Sequence, residues 1–154
     1  MSRKRDLAEA NFLKGYNCAQ SVLIAFCDEI GMDEAAAARL ASSFGGGMGQ
    51  LREVCGAVSA LFLIAGAAAG YDAPGDREAK QAHYAKIRAL AEAFQKENGS
   101  YICRELLENA KANAEAVEHA RTPAYYAERP CAKFVGDAAE LAEAFLAAHP
   151  KKEA

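Results

Sequence analysis

The chain has 154 residues, is 52% hydrophobic and carries a formal charge of −3, which is enough to bury one core without covalent staples. Acidic and basic residues are interspersed, so there is no basic footprint for nucleic acid. No linker tract and no strand-like alternation occurs, which predicts an all-α fold: one domain over residues 1–154, a bundle of about five to seven helices around a central glycine-loop and cysteine helix at 51–70.

In chain order, the charged start MSRKRDLAEANFLKG lacks the apolar core of a signal peptide, which predicts a cytoplasmic protein. Five cysteines in that reducing compartment are not read as a structural disulfide set. A first helix opens at Ser2 or Asp6, runs to Lys14 and stops at Gly15. Asn17 then suits the N-cap of a second helix that closes at Gly31, with Val22, Leu23, Phe26 and Ile30 on its apolar face. Cys18 falls in that helix's first turn, where unpaired N–H groups and the dipole favour a thiolate. Cys27 lies at the opposite end among apolar neighbours and reads as inert packing.

Asp33 caps a short helix that leads into a loop containing Gly45, Gly46, Gly47 and Gly49. Two phosphate-binding patterns fail here: no Lys-Ser/Thr pair follows, and a G-x-G-x-x-G begun at Gly45 meets Gln50 at its last position. From Leu51 onward, Leu51, Cys55, Val58, Phe62, Ala65 and Ala69 recur at helical spacing, which puts Cys55 about one turn into a core helix. Val54 to Tyr71 carries no charge, but the run is short and rich in Ala and Gly, which predicts a buried helix rather than a membrane span. Arg52 and Glu53 are most simply solvated, with electrostatic support of Cys55 as the other reading.

Beyond Asp72, Ile87, Leu90 and Phe94 form the stripe of a helix that ends at Asn98 and Gly99. His83 extends this stripe as a satisfied core histidine or a reserve metal or proton-transfer group. Ser100 caps the next helix, with Cys103 at its third position. Pro123 and Pro130 break the polar stretch that follows into a connector, with His119 on its solvated surface. Pro130 then opens a last helix whose Cys131, Val135, Ala138, Ala142 and Phe145 share a face, with Gly136 a mild interruption.

Cys18, Cys103 and Cys131 thus fall at helix starts, Cys55 lies nearby in its own helix, and Cys27 stands apart. A shared site needing thiolates would produce this bias. The spacing contains no C-x-x-C, so the fold itself must assemble any such site. The blocks GYNCAQSVL, GGGMGQLREVCGAVSALFLIAG, ENGSYICRELL and RPCAKFVGDAAEL resemble, in order and over nearly the whole chain after residue 10, the C_GCAxxG_C_C family of redox-active proteins. The resemblance makes Cys18, Cys55, Cys103 and Cys131 the four characteristic cysteines. The family's Cys-Gly-Ala-x-x-Gly motif matches Cys55, Gly56 and Ala57, with Ala60 where its closing glycine would stand. It implies a small helical protein with a redox role.

Three functions compete. In the first, the four cysteines are catalytic thiols that also hold zinc or an iron–sulfur cluster, with amides of Gly47, Gly49 and Gly56 lining the group, for electron transfer or sensing. In the second, the same thiols run thiol–disulfide exchange, activated by their helix starts. In the third, the protein is a helical scaffold with packed cysteines. Haem attachment is not expected, since C-x-x-C-H is absent. No hydrolase motif appears, so the sequence leaves open whether the protein is an enzyme. The expected partner is a redox protein of unknown identity, with no nucleic acid and no membrane, and Ala/Gly-rich helix faces would suit a homodimer.

Overall fold

The computed structural model describes residues 3–110 and 130–150. In order, the helices are α1 (Arg3–Leu13), α2 (Cys18–Ala25), α3 (Cys27–Ile30), α4 (Glu34–Ser42), α5 (Gly45–Met48), α6 (Gly56–Ala69), α7 (Arg77–Asn98), α8 (Cys103–Asn109) and α9 (Cys131–Ala148). No strand occurs among the described residues, so the all-α expectation holds. The predicted connector containing Pro123 and His119 lies outside the described residues.

Local chemistry sets most of these boundaries. Asn17 caps α2 reciprocally with Gln20: its side chain accepts from the Gln20 amide at 2.8 Å, and Gln20 Oε1 accepts from the Asn17 amide at 3.1 Å. Asp33 caps α4 through the Ala36 amide at 2.7 Å. Gly31 and Gly99 take φ of 71° and 89° and end α3 and α7. The single helix predicted from Asn17 to Gly31 is instead two. The Phe26 amide bonds to the Leu23 carbonyl at 3.0 Å, which tightens the last turn of α2 and offsets α3 from its axis.

The central helix starts later than its periodicity predicts. α6 begins at Gly56, with Cys55 at the N-cap, and Leu51 is 66% exposed. Residues 51–55 are diverted because their backbone pairs antiparallel with 101–104, where Val54 and Ile102 form an isolated bridge. Cys55 N–H donates to Tyr101 O at 2.9 Å and Cys103 N–H to Glu53 O at 2.6 Å. From Gly56 on, α6 is apolar on every side and is buried from Gly56 through Leu61 and again at Ile64 and Ala65, as a helix without a polar face must be. α2, α7 and α9 pack around it.

α1 and α9 close the bundle. Gly136 leaves room for Arg5 and Glu9, which a Cβ there would strike. Arg5 pairs with Asp137, with Glu9 at 3.0 Å and with Glu140 at 2.8 Å, while Lys133 reaches Asp137 and Asn98, each at 2.7 Å. Burial alone would raise the Asp137 carboxyl, but Lys133, Arg5 and Asn98 hold it below its ordinary value. Among the described residues no helix is long and apolar enough to cross a membrane.

Candidate functional site

Four helix starts meet at one cavity of about 320 Å³, and each contributes a cysteine. Cys18 is the first residue of α2, Cys55 the N-cap of α6, Cys103 the first residue of α8 and Cys131 the first of α9. Asn17 fixes the first of these by the capping box and by donating from Nδ2 to Ser42 O at 3.2 Å. Pairing of 51–55 with 101–104 brings the second and third together. Ser100 sharpens the approach to α8: its hydroxyl accepts from the Ile102 amide at 3.0 Å and donates to Glu105 Oε1 at 2.7 Å. That turn delays the helix, so Ile102 rather than Ser100 stands at the cap and Cys103 is the first helical residue, not the third.

The fourth wall is the glycine loop. Gly46, Gly47, Met48, Gly49 and Gln50 all have φ between 60° and 69°, a left-handed turn, and Arg52 repeats it at 61°. Each non-glycine residue there costs roughly 1–2 kcal/mol, so Met48, Gln50 and Arg52 strain the backbone beside the thiols. The turn is held by Gln50 N–H to Gly45 O and Arg52 N–H to Gly46 O, both 3.2 Å, and by Glu53 N–H to Gly47 O at 2.9 Å. Two glycines are required by close approach. A Cβ on Gly47 would fall 2.5 Å from Cys103 Cβ, and one on Gly56 would fall 2.8 Å from Phe44 O. Gly47, Gly49 and Gly56, the expected cofactor-binding glycines, all line the cavity.

Electrostatics run against the expectation that helix starts would lower these thiols. Cys18 is raised well above its ordinary value, first by its hydrogen bond with Cys131, then by burial and by repulsion from Cys131, Cys55 and Cys103. Burial pushes Cys55 up to about 12, although the amides of Val58 and Ala57 pull the other way. Those two amides favour the Cys55 anion without making a cap hydrogen bond. The physical reason is burial, which penalises the charged form, with crowding added to it: each thiolate formed would repel the next, and together these outweigh the helix amides.

Arg52 is the residue that sequence reasoning misplaced. It is only 7% exposed, not solvated, and its Nη1 lies 3.8 Å from the sulfur of Cys103. Among the described residues it is the one charged side chain lining the cavity. Cys27 is buried away from the cavity and is raised by burial and by Glu34, Asp28, Asp33 and Glu29, as packing predicts. His83 does not line the cavity; it lies on α7 with its ring 6.3 Å from that of Tyr71 and is lowered by burial and Lys86. Among the described residues no three His, Cys, Asp or Glu side chains are placed to hold a metal ion.

Such an arrangement can give up two electrons by closing a sulfur–sulfur bond, or present a thiolate beside a cation. No curated protein and no solved structure matches the chain. A family model does match, over residues 16–145, and spans all four cavity cysteines: the chain belongs to the family described as "Putative redox-active protein (C_GCAxxG_C_C)".

Proposed function

We propose that the protein acts by reversible disulfide formation between Cys18 and Cys131, exchanging two electrons with a thiol–disulfide partner. The observation that carries this reading is that these two thiols, from opposite ends of the sequence and each the first residue of its helix, line one cavity, where Cys131 is the largest influence on Cys18. Closing the bond removes two thiol protons and passes two electrons to an acceptor disulfide, which leaves as two thiols. The crowding that disfavours thiolates supports the same reading, because a disulfide replaces two mutually repelling ionisable groups by a neutral one. Cys55 and Cys103 line the same cavity.

Differential alkylation across a series of redox buffers tests this. The expected result is that Cys18 and Cys131 become protected together and yield one cross-linked peptide, and that Cys18→Ser or Cys131→Ser abolishes it while helicity is kept. Independent titration of the two thiols, with no such peptide under any condition, would refute it. Iron, sulfide and zinc analysis of anaerobically purified protein checks the rival use of the same cavity. Stoichiometric metal, lost in single Cys→Ser variants, would replace the disulfide reading by a metal-bound one.

A further inference from the structure

The four thiols are not equivalent. Cys18 and Cys131 are engaged with each other. Cys55 is 4% exposed and sits under the first turn of α6. Cys103, partly exposed like Cys18 and Cys131, has the Arg52 guanidinium 3.8 Å from its sulfur. Its helix neighbours do not compete for that role: Arg104 donates to Leu51 O at 3.1 Å, and Glu105 accepts from Ser100. Among the described residues, the thiols of Cys18, Cys55 and Cys131 also act across the cavity. A guanidinium beside a thiol favours the thiolate, which is the attacking species in exchange.

We infer that Cys103, held beside Arg52, is the entry thiol of this cavity and that the substrate it receives is a low-molecular-mass disulfide. This rests on the proposed dithiol reading and assigns its substrate class. A cavity of about 320 Å³ is at the small end of ligand sites, and its walls mix the polar Asn17, Ser42 and Gln50 with the apolar Leu106, Leu107 and Phe134. That is room for a short R–S–S–R. The Cys103 thiolate attacks one sulfur of R–S–S–R, breaking its S–S bond. R–S⁻ leaves and takes up the proton that Cys103 had released. The Cys18 thiol, deprotonating as it attacks, displaces the second R–S⁻ from the Cys103 mixed disulfide, leaving Cys18–Cys103. Cys131 then attacks the Cys18 sulfur and returns Cys103 as a thiol. The sum is R–S–S–R plus two cysteine thiols giving two R–SH and the Cys18–Cys131 bond.

The test uses 2-hydroxyethyl disulfide, a small neutral probe, with acid quenching and peptide mapping. The first adduct is expected on Cys103. Arg52→Gln should raise the midpoint of the Cys103 alkylation pH profile by about one unit or more. Losing one unit of acidity lowers the thiolate fraction about tenfold, partly offset by greater intrinsic nucleophilicity, so entry at pH 7 should slow about three- to fourfold. Arg52→Lys, which keeps the charge, should recover most of the rate. A first adduct at another cysteine, or an unchanged Cys103 profile in folded Arg52→Gln, overturns the inference. Cys103→Ser separates the two levels. It should close Cys18–Cys131 with diamide but not with the small disulfide. Equal closure with both reagents defeats the entry role alone, and no closure with diamide even in the wild type defeats the underlying dithiol reading. Faster reaction with an intact disulfide-bonded protein than with the small probe would overturn the substrate class.

Discussion

Replacing Gly47 by alanine isolates how tightly the left-handed loop is seated against α8. Two costs add. A left-handed alanine costs about 1–2 kcal/mol, and the new methyl would sit 2.5 Å from Cys103 Cβ, 2.8 Å from Arg52 Cα and 2.9 Å from the Glu53 amide nitrogen. Two of these neighbours are backbone atoms, and the Arg52 and Glu53 carbonyls accept from Arg104 and Cys103, so the clash cannot be relieved by turning a side chain. Overpacking of this kind costs about 1–3 kcal/mol, for a total of roughly 2–5 kcal/mol. Gly31→Ala is the matched control: its φ of 71° is nearly the same as the 69° at Gly47, but no atom lies within 4 Å of the added carbon. The backbone penalty and the change in unfolded-chain entropy are therefore shared, and the difference between the two variants reports the packing term alone. In urea, with a slope of about 1–3 kcal/mol per molar, Gly47→Ala should unfold at a midpoint on the order of 1 M below Gly31→Ala. Coincident midpoints with equal slopes would show that the loop does not press on Cys103, and the account of the cavity wall would fall.

High pH should unfold the reduced protein. The Cys55 proton is held more tightly in the folded state, so its contribution is intact below the ordinary value of 9.0 and is lost as pH climbs toward about 12. This amounts to about 1.4 kcal/mol per pH unit, or ~4 kcal/mol over the range; urea titrations from pH 8 to 11 should show the slope, and Cys55→Ala should lessen it. Asn17→Ala removes the capping oxygen of α2 and should cost about 1 kcal/mol by chemical denaturation, and should also raise the solvent reactivity of Cys18. Asp137→Asn leaves Arg5 and Lys133 facing a neutral amide; with Asp137's side chain 11% and Lys133's 53% exposed, the cost should be roughly 2–3 kcal/mol. Because the Asp137 carboxyl is held below its ordinary value of 3.8, its contribution is present above that pH and lost on acidification. An acid unfolding curve that stays the same in the variant would refute that assignment.

What the sequence shows readily is what depends on three or four consecutive residues. Asn17 and Asp33 announce their helices because a short polar side chain reaches the amide three residues on, and Gly31 and Gly99 announce ends because they tolerate positive φ. The periodicity from Leu51 to Ala69 identified the buried helix but not its start, since nothing local records that 51–55 is claimed by a segment near residue 102. The gathering of cysteines at helix starts was legible, and so was the family; their convergence and acidity were not. A helix start considered alone lowers a thiol, whereas several buried thiols considered together raise one another. Arg52 shows the same limit in reverse: following a glycine run it looks solvated, but its left-handed backbone turns the guanidinium inward to Cys103.

The placement of Cys131 on the last helix has a consequence for biosynthesis. α9 packs against α1, α2, α6 and α7, so three of the cavity cysteines leave the ribosome well before the fourth can join them. Until that closing segment docks, the early thiols have no fixed neighbour and can react with whatever the surroundings offer. Maturation of the centre is therefore the final act of folding, and truncated or stalled chains should carry the sulfurs without the chemistry.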